Sequence, residues 1–408
     1  MARIMTSITR QVSALVAVAV LVPMALVGCG GRQQGRFVPG VEWSPTQSTA
    51  PVTLTITPKD GTTDLPISTE IGTRTSGDIT EVTLIAAGGD EVAGDLRTDG
   101  SSWVPARPLA PSTTYTASVT ATGEAGGTTS AETTFSTMAE PGVRTGTGLY
   151  LFDGDTYGVA MPVVVEFLTP VPEEYRGDVQ RRMFVTTDPP QPGVWHWVPW
   201  GTAAFYRAPE YWRPGTVISV RIALDGHPTG EGRYGDADRG ATVTIGRKLE
   251  MKVHNKSKQL SVWRDGELAR KIPVSLGKAS TPSSYGHMVV MSKERTTVFD
   301  TFAELGPREG YRIDISYAMR LTWGGEFIHA APWSVADQGV RNVSHGCINM
   351  SMKNARWLFH QALVGDPVIV TGTGAALEPG NGWTAWDMSW EEFAAGSALP
   401  VPDELATD

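Results

Sequence analysis

The run Ser344-His345-Gly346-Cys347-Ile348-Asn349 sets a thiol beside an imidazole, and a second imidazole, His329, lies upstream across the fourteen residues 330–343. A free thiol has a pKa near ~8.5 and becomes a strong nucleophile once a neighbouring imidazole takes its proton. Either histidine can be that base. Gly346 removes a side chain beside the sulfur, which lets backbone N–H groups face a developing oxyanion. Such a set supports nucleophilic catalysis in two half-reactions through a covalent intermediate, with neither metal nor nucleotide. The bland alternative is an inert buried cysteine ahead of a helix, and the second histidine argues against it.

Positioning these groups requires particular elements. A strand at Glu326 to His329 would deliver His329 beside a thiol held just before a helix. That helix is capped by Ser351, carries Met352, Ala355, Leu358, Phe359 and Ala362 on one face, and ends at Gly365. Amide dipoles at its start would favour a thiolate at Cys347. The surrounding region, 248–373, is strand-rich: Gln259 to Trp263 and Glu267 to Val274 flank an Asp265-Gly266 hairpin signal, with further strands at His287 to Met291 and Val368 to Thr371. Within it Ser275-Leu276-Gly277-Lys278 fits the SxxK pattern of serine acyl enzymes. That pattern belongs at a helix start, Ser275 ends a strand, and no Lys-Thr-Gly follows. The tail, 374–408, spaces Trp383, Trp386 and Trp390 as on a helix and is expected to pack on this region.

The chain ahead reads as turn-rich β structure, in keeping with 45 Gly and 28 Pro. Short alternating strands at Val52 to Thr57, Glu81 to Ala86, Thr114 to Thr122 and Thr128 to Thr137 suggest a β-sandwich over 51–140. A second unit over 145–246 repeats the pattern at Pro162 to Leu168, Arg182 to Thr187, Val217 to Leu224 and Ala241 to Ile245. These modules either bind carbohydrate or a partner, or act as spacers, and the spacer is the simpler expectation. Gly230 to Gly235 matches GxGxxG, but no helix follows to hold a pyrophosphate. Asp236 and Asp238 lack the glutamate of a calcium loop.

Residues 1–29 carry Arg3 and Arg10, an apolar run from Val12 to Val22, then Leu26-Val27-Gly28-Cys29. This is an export signal ending in a lipobox-like sequence, so Cys29 is expected to be acylated and to hold the protein on the outer face of the plasma membrane, facing the cell wall. The alternatives are cleavage near Gly28 with release, and a transmembrane anchor. The second is disfavoured by a short run interrupted at Pro23. Residues 30–50 read as a tether. A net charge of −9 disfavours nucleic acid as partner. Two cysteines exclude a disulfide scaffold and a cysteine zinc site.

His329, the fourteen-residue spacer and Ser-His-Gly-Cys-Ile-Asn resemble the signature of the L,D-transpeptidases of the YkuD family. Thr281-Pro282, Gly286, Gly310-Tyr311-Arg312, the run from His329 to Val335 and Asn354-Ala355-Arg356-Trp357 resemble mycobacterial members, as do Trp212 to Thr216 and the Gly230 to Gly235 loop of the second module. The resemblance implies a mainly β chain: two immunoglobulin-like sandwiches, a YkuD-type catalytic domain with few helices, and a tryptophan-rich extension. It implies Cys347 as nucleophile, His329 as base, and the carbonyl at Ala330, usually contributed by a serine, orienting the imidazole. His345, Gly346, Ser344 and Asn349 would line the site, Tyr311 would contact substrate or oxyanion, and Trp333 would shape the pocket. The lid at 296–308 departs from the family pattern. The implied reaction takes peptidoglycan stem peptides as partners and needs no cofactor. It is 3→3 cross-linking of diaminopimelate residues from tetrapeptide donors with release of D-alanine, and carbapenems should acylate the same thiol. The rival class is a non-catalytic or hydrolytic wall-binding lipoprotein that keeps the fold.

Overall fold

The computed structural model describes residues 51–310 and 312–406. Cys29, the expected export segment and tether, and Tyr311 lie outside the described residues. Among those described, no helix is long and apolar enough to cross a membrane, and no group of three His, Cys, Asp or Glu side chains is placed to hold a metal ion.

Alternating Thr/Val/Ala segments form the first sandwich. Asp78–Ala86, Thr114–Thr122 and Thr128–Thr137 pair as an antiparallel sheet with Thr62–Leu65 at its edge. It faces a second sheet of Leu54–Thr57, Ile71–Thr75, Ser102–Pro105 and Gly94–Leu96. Ile71, Leu84, Trp103, Tyr115 and Phe135 fill the space between them. The second sandwich stacks Thr147–Leu149, Val163–Phe167, Ala203–Arg207 and Val194–Trp197 against Thr156–Tyr157, Arg239–Ile245, Val217–Ile222 and Met183–Asp188. The glycine-rich loop is a small hairpin, Pro228–Gly230 with Arg233–Gly235, and the carboxylate of Asp236 is paired with Arg239.

The third region holds two sheets. One is six-stranded, in the order Glu267–Pro273, Gln259–Arg264, Leu249–His254, Pro367–Thr371, Ser284–Val289, Ala375–Ala376. The other, in the order Ser292–Asp300, Arg312–Arg320, Phe327–Ala330, Ile348–Met350, carries His329. A helix at Met352–Gln361 packs beneath, and the Ser351 hydroxyl accepts from the Asn354 amide as its cap. Ala355 and Leu358 are buried in the shared core, while Met352 is 42 % exposed and falls off the expected face. The helix stops at Gln361, short of the expected Gly365, because Ala362 turns to an extended conformation.

Two junctions join the three regions. At the first, the Glu70 carboxylate accepts from Arg97 at 2.7 Å, Arg182 at 2.6 Å and Ser102 at 2.5 Å, and Arg221 reaches the Pro105 carbonyl. Ser68 contacts His227 Nδ1 at 3.0 Å. At the second, Gly158 and Ala160 amides donate to the carbonyls of Val364 and Gly365.

The tail packs differently from the expectation. Trp383, Phe393 and Leu405 belong to the core of the second sandwich, and Trp386 and Trp390 pack against it. Arg207 of that sandwich, 2 % exposed, lies over the rings of Trp386 and Phe393 at 4.4 and 4.3 Å and donates to the carbonyls of Ala385 and Met388. Leu377 and the Ala375–Ala376 strand meet the catalytic region. The tail therefore clasps two regions together. Its tryptophans are not one helix: Thr384–Trp386 is a 3-10 turn, and the helix starts at Trp390 because Ser389 and Glu392 form a capping box.

Candidate active site

Strand alternation builds the site. Phe327–Ala330 and Ile348–Met350 pair in parallel, with His329 opposite Asn349. Side chains two apart share a face, so Cys347 and Asn349 stand on the face of His329. Ile328, Ala330, Ile348 and Met350 point to the other face and are buried in the core. Apolar anchoring below thus fixes the reactive groups above.

The loop carrying the thiol is laced from several sides. Ser275 exchanges both backbone hydrogen bonds with Asn349, and the amides of Ser344 and Lys278 donate to the carbonyls of Leu276 and Ser344. Ser275 is fully buried, its hydroxyl donating to the Arg341 carbonyl and accepting from the Val343 amide. The SxxK segment is thus scaffolding for the cysteine loop. The Ser344 hydroxyl donates to the Cys347 carbonyl at 2.6 Å and accepts from the Gly346 amide at 3.2 Å, so it shapes the loop rather than standing free in the cleft. Ser283 Oγ donates to the Gly346 carbonyl at 2.5 Å. Gly346 has φ +127°, a conformation L side chains rarely adopt.

His329 is 3 % exposed, and its Nδ1–H donates to the Ala330 carbonyl at 2.9 Å, which leaves the Nε2 lone pair free. Burial pushes its pKa down to about 4, so the ring is neutral. Protein packed around the Cys347 sulfur, with the Glu326 carboxylate nearby, pushes the thiol up to about 12. The S–H donates to the Gly325 carbonyl at 3.7 Å. The resting pair is therefore thiol and neutral imidazole, and deprotonation requires the sulfur to turn from Gly325 toward His329. Two expectations are corrected here. The helix cannot favour a thiolate at Cys347, because the strand Ile348–Met350 separates them and a helix-end field fades within a turn. The Gly346 amide is engaged by Ser344 and is not an open oxyanion donor.

The cleft above the pair has a volume of about 370 Å³. His345 lines it, with Nε2 held by the Lys278 ammonium at 3.1 Å. Trp333, 56 % exposed on the 3-10 turn Pro332–Ser334, stands 6.1 Å from the His329 ring. Asn349 Nδ2 faces Ser334 Oγ at 3.4 Å, and its buried Oδ1 has no partner among the described residues. The segment 296–308 splits into the end of the Ser292–Asp300 strand and the Phe302–Glu309 helix, which is kinked at Gly306.

Sequence reasoning missed Phe299, edge-on to His329 at 5.4 Å, and Arg312, paired with Asp300 at 3.6 Å at the rim. It also missed Glu326 and Gly325 beneath the sulfur. Phe299 and Arg312 come from neighbouring strands, Gly325 and Glu326 from the turn ahead of Phe327–Ala330, and the Arg312 motif was the only local signal.

Known proteins resemble this chain in sequence. Residues 251–370 match the model of the L,D-transpeptidase catalytic domain, and residues 62–228 match a bacterial Ig domain. L,D-transpeptidase 2 of Mycobacterium tuberculosis is 33 % identical over 353 residues, covering 85 % of each chain. The chain belongs to the L,D-transpeptidase family. L,D-transpeptidase 5 of the same species is 35 % identical over 396 residues, covering 94 % of this transpeptidase and 84 % of its own length. A solved L,D-transpeptidase in complex with imipenem is 37 % identical, covers 57 % of this chain and 99 % of its own, and superposes with a TM-score of 0.46.

Proposed function

We propose that this transpeptidase forms 3→3 cross-links in peptidoglycan through a thioester on Cys347. The observation that carries the reading is the neutral His329, anchored through Nδ1 on the Ala330 carbonyl, with its free Nε2 on the sheet face of the thiol. In the first half-reaction His329 takes the thiol proton while the sulfur attacks the carbonyl of the third, diaminopimelate residue of a tetrapeptide donor. The C–N bond to D-alanine breaks, and its amine leaves with the proton from His329. In the second, the side-chain amine of an acceptor diaminopimelate attacks the thioester, His329 removes its proton, and Cys347 departs as the restored thiol.

A carbapenem presents a strained lactam carbonyl to the same sulfur, so one molecule should add at Cys347. Cys29 acylation would hold the enzyme on the outer face of the plasma membrane, where the two sandwiches extend its reach to the wall. Mass spectrometry of products from a disaccharide-tetrapeptide tests the reaction. The expected product is a dimer lighter than two substrates by one D-alanine, absent with Cys347→Ala and slowed about 10²–10⁴-fold with His329→Ala. Hydrolysed tripeptide without dimer would defeat the cross-linking reading. Membrane fractionation of Cys29→Ala tests the anchor, and unchanged membrane association would defeat it.

A further inference from the structure

Cys347 is half-buried and borders two clefts, so small molecules reach its sulfur. A thiolate there would react with peroxides and other electrophiles, whereas a thiol is nearly inert. The free Nε2 of His329 gives the proton somewhere to go. The oxygens that oppose its departure come from the turn 322–326. The Glu326 amide donates to Thr322 Oγ1 at 3.0 Å and the Leu321 amide to the Glu326 carbonyl at 2.9 Å, which fixes the turn from within. Two of its groups meet the cysteine loop. The Gly325 carbonyl accepts the S–H, and the Glu326 carboxylate, held by the Ser284 amide at 2.8 Å, lies along Gly346, where an added Cβ would stand 3.4 Å from its Oε1.

The cations around the sulfur are engaged elsewhere. Arg320 is stacked over Phe327 at 4.5 Å and donates to the Thr322 carbonyl, and Arg312 is paired with Asp300. Lys278 donates to His345, and His329 is neutral. Burial is the main reason that the thiol holds its proton; Glu326 adds to it and Arg320 opposes it. Burial also raises the Glu326 carboxyl, against the pull of the Ser284 amide. The loop does not depend on Glu326 for its shape, because Ser275, Ser283 and Ser344 lace it from other sides. What the carboxylate contributes is charge.

We propose that the Glu326 carboxylate is a positioning group that parks Cys347 as a thiol on the Gly325 carbonyl and keeps it from reacting with peroxides and other small electrophiles until a donor stem fills the cleft. The inference rests on Cys347 being the nucleophile of the cross-linking reading. A slower first half-reaction is the cost, and a longer-lived enzyme is the gain. In the side reaction that is suppressed, a thiolate sulfur attacks one oxygen of hydrogen peroxide, the O–O bond breaks and hydroxide leaves. The sulfur is oxidised to a sulfenic acid and the peroxide is reduced.

The test is the rate of Cys347 alkylation by iodoacetamide in the full chain across pH 4–9, read from the mass of the Cys347 peptide. Loss of imipenem adduct formation after hydrogen peroxide is followed beside it. Glu326→Gln keeps the shape and the acceptor for Ser284 but removes the charge, whereas Glu326→Asp keeps the charge and shortens the reach. Removing the charge should give about tenfold more thiolate, each about threefold less nucleophilic, and so about threefold faster alkylation and peroxide inactivation at pH 8. The ratio of Glu326→Gln to wild type should fall to one by about pH 4, because wild-type Glu326 then takes up its own proton, above pH 4.5 since burial raises that carboxyl. Glu326→Asp should stay near wild type, and Arg320→Gln should slow alkylation. Equal rates for Glu326→Gln and wild type at pH 8, a ratio that persists unchanged to pH 4, a larger effect in Glu326→Asp than in Glu326→Gln, or faster alkylation in Arg320→Gln overturns the proposal. Every readout is thiol chemistry at Cys347, so a disaccharide-tetrapeptide that yields no dimer defeats the cross-linking reading separately.

Discussion

The two junctions of this molecule are built from different materials. Between the sandwiches, Glu70 gathers Arg97, Arg182 and Ser102 into one charge-assisted cluster. Between the second sandwich and the catalytic region, backbone bonds, the Arg207 cage and four aromatic side chains of the tail form a continuation of the core. Charge clusters with partial solvent access contribute modestly to stability, whereas burial of large rings contributes about 2 kcal/mol each. The second sandwich is thus built into the enzyme, and the first is attached to it.

The strongest way to break this contrast is to remove residues 376–408. Loss of Trp383, Trp386, Trp390 and Phe393 forfeits about 8 kcal/mol of burial, comparable to the net stability of a domain. Thermal unfolding should show collapse of the second sandwich and catalytic region together, and a truncated chain melting like wild type would refute the clasp. Arg207→Met keeps the apolar stem but strands the carbonyls of Ala385 and Met388, and should lower unfolding free energy by about 3 kcal/mol in denaturant titration. Glu70→Gln should lower it by about 1–2 kcal/mol, confined to the first sandwich. Deleting residues 51–140 altogether should leave imipenem adduct formation within about twofold, measured by mass spectrometry.

The smallest effect is in pH. Burial alone would raise Glu70, but hydrogen bonds from Arg97, Ser102 and Arg182 outweigh it and hold the carboxyl below 4.5. Its contribution is present above pH 4.5 and is lost as pH falls through the lowered folded value. Burial brings His227 at the same junction down to about 4, so stability there also falls as pH drops from 6.5 toward 4. At the second junction, burial lowers His287 to about 4 and raises Asp366 to about 7. The histidine loses stability on acidification from 6.5, while the aspartate gains it between 7 and 3.8, and the two oppose. Amide exchange at pH 4.5 against pH 7 should show faster opening around His227 and little change around Gly158 and Ala160.

Local residue patterns announced the site better than its walls. A thiol flanked by glycine and histidine is chemically unusual in any short window, so Cys347 and His329 stood out without a fold. Phe299, Arg312 and Glu326 are ordinary residues, two in strands and one in the turn ahead of a strand, and only strand pairing makes them neighbours of the sulfur. Sandwich strands such as Thr114–Thr122 and Thr128–Thr137 were legible because alternation survives on a half-exposed sheet. The tail misled because aromatic spacing reports a common face, while Ser389 and Glu392 decide where helix begins. The resting thiol was illegible for a related reason: its charge state depends on burial by residues far off in the chain.

The two-residue alternation that sets His329, Cys347 and Asn349 above Ile328, Ala330, Ile348 and Met350 also determines how this enzyme family can vary. Inserting or deleting one codon within 327–330 or 348–350 would turn isoleucine and methionine outward and send the imidazole or the amide into the core. The connection at 331–343 carries no such parity. Natural length variation should therefore collect in that connection, and a descendant gene that gains a codon in either strand loses fold and chemistry in one event.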